Sequence, residues 1–396
     1  MSDPAVSNFP SIQVLAKPTG ARCNLACHYC FFRGKAQLYP DSRFRMRDDV
    51  LEAYVRQTIA AQSAPEVNFS WQGGEPTLMG LDFFRRAVRL VERYLRPGMR
   101  VQHAFQTNGM LLNAAWGRFF KTHGFLVGLS LDGTAAMHDA YRVTPEGSPT
   151  FAAVMRAARL LRDHDVPFNI LATVHAANVE FPAEAYRFLR DESGTQFLQF
   201  IPIVEREGAS GVTARSVTAE GWGRFLCGVF DEWVRRDVGR VYVQHHDATL
   251  ASWAGAPPGV CVFEETCGAA VALEHNGDVY ACDHFVDPAH LRGNIMRQPL
   301  AELVNNGAQR HFGNAKRDAL PELCRSCQWL FTCHGECPKN RFATTPDGDP
   351  GLSYLCAGYR AYFEHVANPM KFMADCLRRA RPPADVMAWM NAARPG

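Results

Sequence analysis

Three cysteines within eight residues, Cys23, Cys27 and Cys30, spell C-x3-C-x2-C, and that spacing constrains the chain more than any other segment. Three thiolates so close together can wrap one face of a cubane iron–sulfur cluster, which normally takes four cysteines. With no fourth cysteine nearby, one iron is left open for a substrate or cofactor. The same spacing also admits a zinc knuckle completed by His28, or three buried thiols. The full count, 13 cysteines in 396 residues, is odd and high. In a large chain with no sign of export it points to metal or redox chemistry rather than a disulfide framework. Eight more cysteines lie towards the C-terminus: Cys261, Cys267, Cys282, Cys324, Cys327, Cys333, Cys337 and Cys356. They include C-x9-G-x4-C (Cys267, Gly277, Cys282) and then C-x2-C-x5-C-x3-C (Cys324 to Cys337). Eight thiolates suffice for two four-ligand clusters, or for two all-cysteine zinc sites. Cys227, in an apolar helical stretch, and Cys376, near the end of the chain, read as packing thiols.

Around these cysteines the chain is ordinary. Lys plus Arg number 42 against 40 Asp plus Glu, which gives no electrostatic reason to expect nucleic acid or a membrane surface as partner. No apolar stretch reaches the length of a membrane span, and MSDPAVSNFP has neither a basic nor an apolar signal region, so a cytoplasmic protein is expected. Six apolar runs alternate with amphipathic stretches: 12–15, 67–71, 101–106, 127–131, 168–174 and 197–204, each followed by a helical pattern, the last at 219–236. Six β-then-α units predict an α/β fold, a parallel sheet or partial (β/α)6 barrel over residues 1–236, with its site in the loops after the strands. A loop-rich, cysteine-bound domain is expected at 237–379, ending in a helix from about 354, with a Pro-containing C-terminal tail at 380–396.

The first cysteine loop, with Tyr29 before its last cysteine, resembles the radical S-adenosylmethionine (SAM) superfamily. The resemblance implies a [4Fe–4S] cluster on Cys23, Cys27 and Cys30 whose open iron chelates SAM. Gly73-Gly74-Glu75-Pro76, at the end of the second strand, is similar to the family's GGEP motif, whose backbone holds the SAM amino group. Asn108 after strand three, and Ser130 and Asp132 after strand four, fall where the family meets SAM, although Asn-Gly and Asp-Gly are also strong turn formers. Gln72 faces the same opening, within reach of cofactor or substrate. Phe31, Phe32 and the segment 33–47 either line a peptide channel or pack against the barrel mouth.

The C-terminal cysteines resemble the SPASM domain of peptide-modifying radical SAM enzymes. On that resemblance Cys261, Cys267, Cys282 and Cys337 hold one auxiliary [4Fe–4S] cluster, and Cys324, Cys327, Cys333 and Cys356 hold another, three clusters in all. QGGEPTL, FQTNG, SLDG, the eight-cysteine tail and the Cys282-Asp283 pair together resemble the anaerobic sulfatase-maturating enzymes. These oxidise a Cys or Ser of an unfolded or nascent sulfatase to Cα-formylglycine, using electrons from a donor such as a flavodoxin or ferredoxin. The resemblance makes Asp283 the general base. Two other readings compete. One is a SPASM maturase forming a thioether or carbon–carbon crosslink in a ribosomal peptide, disfavoured because the first cluster begins at residue 23 and leaves no room for an N-terminal peptide-binding domain. The other is a non-catalytic, zinc-stapled binding protein.

Overall fold

The computed structural model describes residues 12–208 and 211–392. The segment read above for an export signal lies outside the described residues, as do the last four residues of the tail. Strands β1 (Gln13–Lys17), β2 (Glu66–Trp71), β3 (Arg100–Thr107), β4 (Phe125–Ser130), β5 (Phe168–Val174) and β6 (Phe197–Pro202) form where the apolar runs predict them. Alternation explains their faces: Val67, Phe69 and Trp71 of β2 are buried, and so are Phe168, Ile170, Ala172 and Val174 of β5. Between them run α1 (Asp48–Ala61), α2 (Leu81–Tyr94), α3 (Ala114–Thr122), the short α4 (Ala135–Asp139), α5 (Phe151–Asp163) and α6 (Pro182–Glu192). α3 starts where the side chain of Asn113 caps the free N–H groups of Ala115 and Trp116. Beneath the sheet, Trp71, Phe84, Phe105 and Trp116 form a ring-on-ring core, with Phe84 and Phe105 centroids 4.9 Å apart. Each such ring buries about 150–250 Å², so this half of the molecule has a core that does not depend on the cysteines.

After the small hairpin β7 (Arg206–Glu207) and β8 (Gly211–Val212) comes α7 (Ala219–Arg236). The sequence pattern stops there, but the structure adds a seventh strand, β9 (Tyr242–Val243), which pairs parallel with β6 and leads into α8 (Gln244–Ala254). Two residues are too few to show an alternation. The cysteine-rich part then returns to the same sheet. β10 (Ala270–Glu274) pairs parallel with β1 from Gln13↔Ala270 to Lys17↔Glu274, and β11 (Asp278–Tyr280) and β12 (Leu291–Asn294) follow antiparallel. Among the described residues the sheet order is β12-β11-β10-β1-β2-β3-β4-β5-β6-β9, and its two edges do not pair, so the barrel is open. The loop after β11 meets the last residue of β1 through the Lys17–Asp283 ion pair.

Helices α9 (Leu300–Asn305), α10 (Gly307–Asp318), α11 (Glu322–Arg325) and α12 (Leu330–Cys333) lead to the long helix α13 (Cys356–Arg378). α13 crosses α7 at a glycine pair: a Cβ on Gly358 would lie 2.0 Å from the Ala219 carbonyl oxygen. The tail is partly helical, since α14 (Val386–Ala392) buries Val386 and stacks Trp389 on Phe372 at 5.0 Å. Cys376 is buried and Cys227 packs half-buried against the core, as expected of packing thiols. No helix among the described residues is long and apolar enough to cross a membrane.

Candidate active site and cluster centres

The first cysteine loop leaves the carboxyl end of β1 and is held on two sides. Ala26 N–H donates to the Val143 carbonyl at 2.8 Å and His28 N–H to that of Tyr141 at 3.0 Å. On the other side Glu75 N–H donates to the Arg22 carbonyl at 2.9 Å. Gly74 sits at φ +49°, and a Cβ there would fall 2.0 Å from that same carbonyl oxygen, so only glycine lets the GGEP turn and the cysteine loop meet backbone to backbone. The Glu75 carboxylate is buried and fully engaged: Thr77 donates through both N–H and hydroxyl, Thr107 through its hydroxyl at 2.8 Å, and Asn108 through its N–H at 2.8 Å. Its part is to tie β2 to β3, while the Gly73 carbonyl accepts from the Thr19 hydroxyl at 3.0 Å. Asn108 in turn donates to Asn24 Oδ1 at 2.8 Å and points the same Nδ2 at Cys23 Sγ, 3.6 Å away. Ser130 accepts from Gln106 Nε2 at 3.1 Å at the neighbouring strand end.

The sequence reading sets Asp132 at the cofactor, but protein donors occupy both of its oxygens. Arg142 binds it in a fork at 2.8 and 3.0 Å, Tyr29 donates its hydroxyl at 2.5 Å, and Thr173 N–H donates at 2.8 Å. Burial pushes the Asp132 carboxyl up, yet Arg142, together with His175 and His138, more than offsets it and holds the group well below the usual carboxylate range. Because Tyr29 lies between Cys27 and Cys30, this buried pair fixes the cluster loop to β4 and β5. Replacing Arg142 by Met is expected to cost about 3–5 kcal/mol, because it strands a buried carboxylate. An unchanged midpoint in an anaerobic denaturant titration would show that the pair is dispensable.

Asp283 follows Cys282 in the loop after β11. Its side chain is 16% exposed and forms an ion pair with Lys17, the last residue of β1, which is itself 1% exposed. Burial pushes the Asp283 carboxyl up, but Lys17, with the neighbouring His284 and Lys339, more than offsets this and leaves it below its ordinary value. It is therefore an ionised carboxylate in a largely dry place. Beyond the ion pair, Oδ1 accepts no hydrogen bond among the described residues, and Nδ1 of the neighbouring His284 has no partner there either. Lys17 also donates to Gln72 Oε1 at 3.0 Å. Phe32 is buried against Ala272, Tyr280 and Val286, so for this ring the packing reading holds. Phe31 is 42% exposed beside the His284 ring and stays available to a ligand. The segment 33–47 docks on the C-terminal strands, with Tyr39 bonded to Tyr280 at 2.7 Å and Ser42 to His275 at 2.5 Å.

The eight C-terminal thiols fall into two neighbourhoods. The thiols that electrostatically raise one another's pKa are Cys261, Cys267, Cys282 and Cys337 in one set. Cys324, Cys327, Cys333 and Cys356 make the other. The second set lines a single cavity of about 320 Å³ with Trp329, Leu330 and Phe363. Around the first set, the buried Lys316 ammonium donates to the carbonyls of Cys261, Val262 and Glu264, and Arg341 binds those of Gly335 and His334. Desolvation pushes Cys23, Cys282 and Cys333 up to about 12, and Cys27 and Cys356 to about 11. Thiols so placed ionise only when a metal binds them. Among the described residues no three His, Cys, Asp or Glu converge as ligands of a single ion do. A cubane keeps its thiolates further apart, and buried cations suit its net negative charge, so the donor sets fit iron–sulfur clusters.

Lys17, Arg142 and Lys316 carry no motif. The one signal for Lys17 is a lysine ending an apolar strand at the first cysteine loop.

Comparisons with known proteins bear on the whole arrangement. The radical SAM superfamily matches residues 18–189, and an iron–sulfur cluster-binding SPASM domain matches residues 261–328. The serine-type anaerobic sulfatase-maturating enzyme of Bacteroides thetaiotaomicron is 44% identical, covering 95% of this chain and 94% of that one. The cysteine-type enzyme of Clostridium perfringens is 32% identical, covering 90% and 97%. Native anSMEcpe with bound AdoMet and the Cp18Cys peptide superposes with a TM-score of 0.84 at 31% identity, covering 93% of this chain and 100% of the other. Likeness that runs through both halves, including the cluster loops and the sheet that joins them, settles the family: the chain belongs to the anaerobic sulfatase-maturating enzymes, a radical SAM family with three [4Fe–4S] clusters and SAM as cofactors.

Proposed function

We propose that this chain oxidises a peptidyl serine or cysteine of a sulfatase to Cα-formylglycine, with Asp283 as general base. The observation that carries the reading is an ionised, largely dry carboxylate set directly after a cluster cysteine and linked through Lys17 to the residue preceding the GGEP turn. When bound, the first cluster and SAM supply the 5′-deoxyadenosyl radical that takes a hydrogen atom from the target Cβ, and the auxiliary clusters supply an exit for the second electron. Asp283 accepts the hydroxyl or thiol proton, which makes the carbon radical a far better electron donor. For serine, hydrogen atom, proton and electron together convert –CH2OH to the aldehyde. For cysteine the same loss gives a thioaldehyde, which water hydrolyses. Gln72 and the exposed face of Phe31 are set to contact the peptide, and the backbone of Gly73 and Gly74, with Asn108 and Ser130, to contact SAM.

The higher identity to the serine-type relative, 44% against 32%, favours serine as the native target. Anaerobic turnover of two sulfatase-motif peptides differing only in Ser or Cys is the test, read by mass spectrometry. The serine peptide is expected to give the aldehyde; turnover of the cysteine peptide alone would reject the serine assignment, and turnover of neither would reject the function. Iron and sulfide analysis should find about twelve iron per chain. We further place the enzyme in the cytoplasm, with a flavodoxin or ferredoxin as electron donor and an unfolded or nascent sulfatase segment as partner. The peptide bound in the solved relative, native anSMEcpe with Cp18Cys, supports a peptide segment as partner.

A further inference from the structure

We infer that Lys17 is a positioning residue that couples SAM cleavage to substrate oxidation by holding Asp283 against the barrel; the inference rests on Asp283 being the base. A buried lysine is expensive unless its charge is matched, and everything around this one is shaped to it. Its stem runs along Gly73, at φ +82°, where a Cβ would fall 2.1 Å from Lys17 Cδ. Its ammonium lies 4.6 Å from the centre of the Phe32 ring, donates to Gln72, and pairs with Asp283.

Three separate pieces of chain thus meet on one lysine: the GGEP turn through Gly73 on its stem and Gln72 on its ammonium, the cysteine loop through Phe32, and the segment after β11 through Asp283. The last comes from the cysteine-rich part, the first two from the barrel. A carboxylate on a short loop has rotamer freedom, and proton transfer needs it within hydrogen-bond reach of the target hydroxyl or thiol. The ion pair removes that freedom on the side where Gln72 and the GGEP turn stand. The general form is a second group that orients the base, as in catalytic triads.

The proposal separates two products of one turnover. In Lys17→Met, which keeps an apolar stem of similar length, peptide-dependent formation of 5′-deoxyadenosine should continue, and deuterium from a Cβ-deuterated peptide should still appear in it. Formylglycine formed per 5′-deoxyadenosine should fall by about 10- to 100-fold, the usual loss when an outer partner of a reacting group is removed. The KM for peptide should stay near the parent value, and Lys17→Arg, which restores the charge, should recover part of the ratio. Because both products come from the same active molecules, a lower folded or iron-loaded fraction does not change the ratio. A parent-like ratio in Lys17→Met, beside a collapsed ratio in Asp283→Asn, would overturn the inference and leave the base assignment standing. A parent-like ratio in Asp283→Asn would overturn the base assignment itself.

Discussion

Asn in place of Asp283 should leave the protein folded and loaded with iron, still able to cleave SAM, and unable to make formylglycine at more than about one part in 10²–10⁴ of the parent rate, the usual worth of a positioned general base. The substitution keeps the shape of the side chain and removes its charge, its ability to take a proton and the counter-charge of Lys17. Hydrogen-atom abstraction from Cβ needs neither. What it leaves behind is a carbon radical still bearing a protonated oxygen or sulfur, which is a poor donor to any electron acceptor. Such a radical can recover its hydrogen from 5′-deoxyadenosine. The expected signature is therefore 5′-deoxyadenosine without aldehyde, and exchange of label between a deuterated peptide and SAM-derived products. Retention of full aldehyde yield would show that solvent or another group accepts the proton. His284 is the neighbour to examine then, since its ring lies beside Phe31 and its Nδ1 is buried without a partner among the described residues.

Much of this machinery was legible in the sequence because it depends on local signals. A strand such as FNILATV carries its own inward and outward faces, and a parallel sheet needs little more to assemble than such runs with helices between them. The first cluster loop is equally local, because its three cysteines fall within eight residues. Three kinds of feature were not legible. β9 has two residues, below the length at which any period exists. β10, AVALE, reads as a strand only in hindsight, because its place beside β1 is a long-range pairing that glycine- and cysteine-rich flanks conceal. The third kind is the partner charge. Asp132 and Arg142 stand ten residues apart, and Lys17 and Asp283 come from near the start of the chain and from its cysteine-rich part, so neither pair has a spacing to detect. The same blindness explains Asp132. A turn signal, Asp-Gly, marks its place correctly, but only the fold shows that its oxygens are occupied by Arg142, Tyr29 and Thr173.

Removing one ligand from the first cluster should have a different signature, and a total one. Cys27→Ala is expected to abolish both 5′-deoxyadenosine and formylglycine and to lower iron from about twelve to about eight per chain, since a cluster left with two thiolates is not retained. The fold should survive. Cys27 sits in a loop outside the aromatic core, and its neighbour Tyr29 keeps its bonds to Asp132 and Thr173. Far-UV circular dichroism should therefore match the parent while SAM cleavage vanishes. Cys333→Ala makes the contrast. Its thiol lines the cavity of the second auxiliary set beside α13, where Tyr359 and Phe363 are buried. Loss of that cluster takes away a staple from a region rich in short helices, so the cost should appear in stability as well as turnover. The two variants separate the two duties of the cysteines. If Cys27→Ala still produced 5′-deoxyadenosine, the first loop would not be where SAM is cleaved. If Cys333→Ala melted and turned over like the parent, the second set would be neither a staple nor an electron path.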